Sequence, residues 1–266
     1  MFYYESELRS VGCRRIAGVD EAGVGPLAGP VVAAAVILPT EGIPKGIDDS
    51  KKLTASTRER LASEISHAAV AYGIGVADVR EIDALNIYQA SLLAMRRAIE
   101  ALTPDPDHLL IDARSLADLP VPQTSLVKGD QRSVSIAAAS ILAKTERDRI
   151  MVNLDRLHPG YGFAHHMGYP TRFHREALGR LGPSPVHRLS FPSVREFCHE
   201  TSAPYRLLLD RLEQASDSTQ FESARESLRR HRGELTTAEY RRLYTLLRKR
   251  QLDGLQPLLP GFEKDV

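Results

Sequence analysis

Four carboxylates in three places carry the first sign of chemistry. Asp20 and Glu21 follow Ile16 to Val19, a short apolar run, partly β-branched, that reads as a buried strand. Asp112 closes a second such run, His108 to Ile111, and Asp130 follows a third, Gln123 to Val127, after Lys128-Gly129. Sites gather at strand ends in open α/β sheets, so these four acids are expected to meet. Crowded carboxylates repel and their pKa values rise. Mg²⁺ or Mn²⁺ relieves this, because hard cations prefer carboxylate oxygen and water. No Cys or clustered His lies near these strands, which argues against zinc. Singly, each acid has a plainer reading: a solvated strand end for Asp20-Glu21, a turn residue for Asp112, a helix N-cap for Asp130. Successive strand residues point to opposite faces, so Asp20 and Glu21 converge on one ion only if the strand ends or bulges at them. Gly23 and Gly25 supply an irregular backbone just beyond.

The elements that must position these acids alternate. Val31 to Leu38 is a second apolar strand, Thr54 caps a helix to about Ala68, and Val70 to Val76 alternates like a strand. Val79 to Leu102 reads as one long amphipathic helix, and another runs from about Ser133 to Leu157. Strands alternating with helices imply an α/β fold. Hydrophobic residues make up 42% of the 266, enough for a sizeable core. Lys and Arg number 35 against 34 Asp and Glu, so net charge indicates no polyanionic partner and any such signal must be local. Two distant cysteines, Cys13 and Cys198, fit a reducing compartment. Without a signal-peptide pattern or a run long enough to span a bilayer, a soluble, cytoplasmic protein with no membrane partner is expected.

These stretches closely resemble the bacterial ribonuclease HII family. The resemblance lies in GVDEAGVGPLAGPVVAAAVIL (Gly18 to Leu38), DDSKKL (Asp48 to Leu53), EIDALNIYQASLLAMRRAI (Glu81 to Ile99) and LLIDA (Leu109 to Ala113). It continues in LVKGDQRSVSIAAASILAKTERD (Leu126 to Asp148), GYPT (Gly168 to Thr171) and HRLSF (His187 to Phe191), collinear over about three quarters of the chain. The absence of a sizeable domain before Gly18 favours type HII over the related HIII enzymes. The resemblance implies a ribonuclease H-like α/β fold, a mixed five-stranded sheet flanked by helices, with a helical C-terminal region. A catalytic domain over 1–200 and a helical extension over 201–266 follow from it. It also implies an endoribonuclease that cuts the RNA strand of RNA–DNA hybrids and nicks duplex DNA 5′ of an embedded ribonucleotide, a role in DNA replication and repair. Asp20, Glu21, Asp112 and Asp130 would be the catalytic and metal-binding carboxylates, holding two divalent cations, Mg²⁺ or Mn²⁺. Asp20 would bridge both ions. Gly23, Val24, Gly25 and Tyr169 would sense the ribose 2′-hydroxyl. Ser50 and Lys51, with the basic residues from His165 to Arg188, would meet phosphate. A monomer is expected.

The sequence departs from the family at two points. Val24 stands where the glycine turn usually carries Arg, and His165-His166-Met167 replaces Lys-x-Lys before Gly168-Tyr169. The alternative these departures raise is a hybrid-binding protein with weakened turnover. If His165 and His166 replace cations, binding should tighten below neutral pH. After about Thr201 the pattern is helical over Tyr205 to Ala215, Phe221 to Arg232 and Thr237 to Leu252. Gln251 to Leu255 and Gln256 to Phe262 faintly resemble sliding-clamp-binding peptides.

Overall fold

The computed structural model describes residues 1–198, 202–215 and 217–252. The chain divides into two compact units, one of residues 1–170 with 186–191, the other of 171–185 with 192–266.

The first unit begins with helix α1 (Tyr3–Ser10), then strands β1 (Ile16–Ala22) and β2 (Val31–Ile37), helix α2 (Ala55–Ala68) and strand β3 (Ala71–Ala77). Helices α3 (Val79–Leu85) and α4 (Ile87–Glu100), strands β4 (His108–Asp112) and β5 (Gln123–Leu126), and helices α5 (Val134–Leu157) and α6 (Phe163–His166) complete it. The five strands form one mixed sheet in the order β3-β2-β1-β4-β5. β1 and β3 run antiparallel to β2, while β4 lies parallel to both β1 and β5. The resemblance to a ribonuclease H-like fold is therefore met.

The sheet is buried on both faces. Ala17, Val19, Ala33 and Ala35 pack toward α4 with Ala94, Met95 and Ala98. Ala34 and Val36 pack toward α2 and α5 with Leu61, Ile65, Ala138 and Ile141. Small residues set the spacing. A Cβ on Gly18 would fall 2.0 Å from the Ser135 carbonyl carbon, and one on Gly75 would fall 1.9 Å from the Ala94 carbonyl oxygen. Each layer thus rests backbone against backbone on its sheet. Ser133 caps α5 by accepting the Ile136 N–H, and buried Glu5 accepts from the Ser133 hydroxyl at 2.5 Å and from the Ser135 N–H. Thr54 caps α2 as its sequence position implies.

The long helix expected over Val79 to Leu102 is broken in two. Asn86 sits at φ 71, ends α3 and caps α4 by accepting from the Tyr88 and Gln89 N–H groups. A short polar side chain that tolerates left-handed φ and caps locally is a helix boundary even inside an apolar period. Asp78 and Glu81 form a capping box at the start of α3.

The second unit is helical: α7 (Arg172–Leu181), α8 (Pro192–Arg195), α9 (Ala203–Gln214), α10 (Ser218–Arg230) and α11 (Thr237–Leu252). Its own core gathers Tyr205, Leu208, Leu212, Phe221, Leu228, Leu243 and Leu247. The clamp-like peptide from Gln251 to Phe262 lies outside the described residues, apart from the backbone of Gln251 and Leu252. No helix among the described residues is long and apolar enough to cross a membrane.

Gly18→Ala should destabilise the fold by about 3 kcal/mol, the upper range for overpacking a core. A thermal melt should fall by roughly 6–12 °C relative to the parent.

Candidate active site

Each acid is set by the element that delivers it. β1 does not end or bulge at Asp20: its antiparallel register with β2 runs on regularly through Asp20–Ala34, Glu21–Ala33 and Ala22–Val32. Alternation therefore sends Asp20 to the α5 face with Gly18, and Glu21 to the α4 face with Val19. Asp112 arrives at the end of β4, whose parallel pairing with β1 reaches Val19–Ile111 just before the acids. Asp130 lies in a single 3₁₀ turn (Gly129–Gln131) between β5 and α5; Ser133, not Asp130, is the cap of α5. The backbone turns sharply at both places, with Ala113 at φ 48 and Lys128 at φ 55, and the Gly129 N–H donates to Asp112 Oδ1 at 2.6 Å. Left-handed φ at non-glycine residues costs energy and is found where surrounding structure demands it.

The acids feel one another. Burial first, then Glu21 and Asp112, push the Asp20 carboxyl well above the ordinary range, against opposing bonds from the Ser140 hydroxyl and the Glu21 N–H. Glu21 is raised by burial, which outweighs Arg114. Asp112 is raised by burial, which outweighs the Gly129 N–H, with Asp130 adding to the shift. Two cations counter the cluster: Arg114 Nη2 lies 3.4 Å from Glu21 Oε1, and Lys51 Nζ lies 3.4 Å from Asp130 Oδ2. Lys51 is raised: burial acts against it, but Asp130, Asp20 and Asp49 outweigh that. Among the described residues no three His, Cys, Asp or Glu side chains are drawn around a single point. Their chemistry still fits hard divalent cations: the donors are carboxylates, and Glu21 Oε2 is buried without a hydrogen-bond partner.

The neighbouring glycine turn is stitched at three points. Leu27 N–H donates to Gly168, Gly29 N–H to Val186, and Arg188 N–H to Leu27, each at 2.8–2.9 Å. Gly23 (φ 98) admits no side chain, since a Cβ would meet Arg147 Nε at 2.0 Å. Tyr169 is exposed, and its Cε1 lies 3.8 Å from where a Gly25 Cβ would be, so its ring edge lies beside the turn at Gly25. Val24 is half-buried against the core beside α4.

Several expected phosphate contacts prove to be internal. Ser50 is buried and shares a 2.9 Å hydrogen bond with Ser140, itself bonded to Asp20. Arg188 is fully buried, its donors spent on carbonyls of the glycine turn, because an isolated bridge between Ala28 and His187 brings this segment against it. His187 and His174 are buried too. Half-buried His166 accepts the Gly168 N–H at Nδ1, while its Nε2 faces the Tyr161 carbonyl at 2.8 Å. His165 is exposed, on a groove of about 680 Å³ that also presents Arg58, Lys144 and Arg149. The sequence reading missed Arg114, Ser140 and Arg147; an arginine two residues beyond a strand-end acid was the available signal for the first.

The Ribonuclease HII sequence profile matches residues 17–194. The chain belongs to the ribonuclease HII family. It is 58% identical over 193 residues to a ribonuclease HII of Anaeromyxobacter sp. (strain Fw109-5), covering 73% of this chain and 61% of that protein. It is likewise 58% identical over 193 residues to ribonuclease HII of Geobacillus kaustophilus, covering 73% and 74%. Among solved structures it resembles ribonuclease H2 from Pyrococcus horikoshii OT3, with 26% identity, a TM-score of 0.60, and coverage of 69% and 96%.

The raised acids set a pH dependence. A carboxyl whose folded pKa exceeds its unfolded value favours folding at low pH, and that contribution is lost as pH rises through the folded pKa. In metal-free buffer the melting temperature should therefore fall as pH rises from about 4.5 into the neutral range. Asp107, held at about 2 by hydrogen bonds from Arg15, titrates below this window. Asp20→Asn should flatten that fall and melt above the parent at neutral pH. Identical pH profiles for both proteins would count against a strained carboxylate cluster.

Proposed function

We propose that the chain is a metal-dependent endoribonuclease that cleaves the RNA strand of RNA–DNA hybrids and nicks duplex DNA 5′ of an embedded ribonucleotide. The observation that supports this reading best is the mutual repulsion linking Asp20 with Glu21 and Asp112, and Asp112 with Asp130, next to a glycine turn against which Tyr169 lies. It is supported by membership of the ribonuclease HII family.

Asp20, Glu21, Asp112 and Asp130 would hold two divalent cations, Mg²⁺ or Mn²⁺. When bound, these ions supply Lewis acidity to an attacking water and to the departing oxygen. The net reaction adds water at phosphorus and breaks the P–O3′ bond, leaving a 3′-hydroxyl and a 5′-phosphate. Ser140 orients the Asp20 carboxylate, and Ser50 steadies Ser140. Arg114 and Lys51 limit repulsion among the acids, and Lys51, largely exposed, also offers its ammonium to substrate phosphate. The glycine turn and Tyr169 would recognise the ribose 2′-hydroxyl, which distinguishes RNA from DNA at a given site. His165, Arg58, Lys144 and Arg149, partly offset by Glu59 and Asp148, would give a groove on this unit cations for the duplex backbone.

The test is a nicking assay on a DNA duplex carrying one ribonucleotide, with Mg²⁺ or Mn²⁺. Asp20→Asn and Asp130→Asn should each lower kcat at least about a thousandfold while leaving the protein folded. Cutting that survives chelation, or survives Asp20→Asn, would overturn the mechanism.

Val24→Arg should lower KM about tenfold, the value of one added charge-assisted phosphate contact. A parent chain that binds the duplex without cutting it, but cuts once Val24 is Arg, would establish the binding-protein alternative.

A further inference from the structure

Two arginines are wholly buried and neither is answered by a carboxylate. Arg147, in α5, and Arg188 both have zero exposure. Their acidic neighbours are engaged elsewhere: Asp148 pairs with Arg58 and Lys144, and Asp83 accepts from the N–H groups of Leu189 and Ser190. A buried guanidinium without a counter-charge is costly unless its donors are satisfied. Desolvation holds Arg147 down to about 10 and Arg188 to about 9, with the Arg147 charge adding to the lowering of Arg188.

What satisfies them is backbone. Arg147 donates from Nε to the Pro30 carbonyl at 3.0 Å, from Nη2 to Ala28 at 3.2 Å and from Nη1 to Met167 at 3.0 Å. Arg188 donates from Nε to Gly29 at 3.0 Å, from Nη1 to Val24 at 2.9 Å, and from Nη2 to Gly23 at 2.6 Å and Pro30 at 3.3 Å. All but the Met167 bond end on carbonyls between Gly23 and Pro30. A trans peptide carries its C=O and N–H on opposite sides. With the Gly23 and Val24 carbonyls fixed on buried Arg188, the N–H groups of Val24 and Gly25 face away from the interior. Neither donates to another backbone carbonyl among the described residues.

We propose that Arg147 and Arg188 are positioning residues that fix the peptide planes of the glycine turn, presenting the Val24 and Gly25 N–H groups as a preformed donor pair for a ribose 2′-hydroxyl and its adjoining phosphate. This rests on the ribose-sensing reading of the turn given above. Arginine suits the task because its planar fork reaches several carbonyls in fixed directions and stays charged at neutral pH, whereas a lysine ammonium has no such geometry.

The test compares the parent with Arg188→Lys, Arg188→Met and Arg147→Lys, each first checked for folding by circular dichroism and thermal melting. Affinity is measured for a duplex with one ribonucleotide and for the same duplex made wholly of DNA, alongside kcat and KM for nicking and amide hydrogen exchange at Val24 and Gly25. A folded Arg188→Lys should lose about tenfold of the parent's preference for the ribonucleotide, the equivalent of one hydrogen bond. The loss should appear in KM more than in kcat, with altered exchange at both amides. An unchanged preference and unchanged exchange in a folded variant would overturn the proposal; if neither Arg188 variant folds, Arg147→Lys decides on the same readouts. A parent that binds both duplexes alike overturns the ribose reading instead, and exchange at the two amides then decides the clamp by itself.

Discussion

Like charges held together without water are the constraint on which this molecule is arranged. On the acidic side, a mixed sheet and the turn after it bring Asp20, Glu21, Asp112 and Asp130 together, and burial and mutual repulsion raise the first three, against Lys51, Arg114 and nearby hydrogen bonds. An isolated buried carboxylate in such a place would neutralise itself. The sheet can impose the arrangement because both its faces are sealed by helices in backbone contact, at Gly18 under α5 and at Gly75 under α4. Rigidity of that kind lets a fold hold groups that would otherwise separate.

On the basic side the same problem has a different solution. Arg188 lies in the field of Arg147, and both are satisfied without a carboxylate, chiefly by the carbonyls of one short turn. Among the described residues the acids and these two arginines, though oppositely charged, form no ion pair with one another. Had they paired, the carboxylate oxygens would be lost to a metal and the turn would lose its anchors. Directing the guanidiniums onto backbone keeps both sets of groups available.

Much of this was legible in the chain itself. The five strands follow from apolar runs separated by helical periods, and the acids declare themselves because each lies at or just beyond such a run. What escaped the sequence has physical reasons. Asn86 splits a helix whose apolar spacing continues past it, since capping by an asparagine leaves the periodicity intact. Arg188 and His187 read as surface cations because such residues are seldom fully buried, and only the distant Ala28 pairing takes them inside. Ser50, one residue from exposed Lys51, turns inward to Ser140, a contact across the fold that no local pattern reveals. Asp20 and Glu21 stand on opposite faces because the register with β2 runs on regularly, and register is a property of the partner strand.

The separation in sequence between the turn and its anchor bears on synthesis. The glycine turn leaves the ribosome with Asp20 and Glu21, and Asp130 follows about a hundred residues later. Arg188, which binds the Gly23 and Val24 carbonyls, emerges only after a further stretch that includes all of α5 and α6. A growing chain therefore carries every acid of the cluster before it can hold the turn in place. Commitment of the acidic centre and completion of its recognition surface are separated in time, and a nascent chain stalled between the two carries the acids beside an unanchored turn.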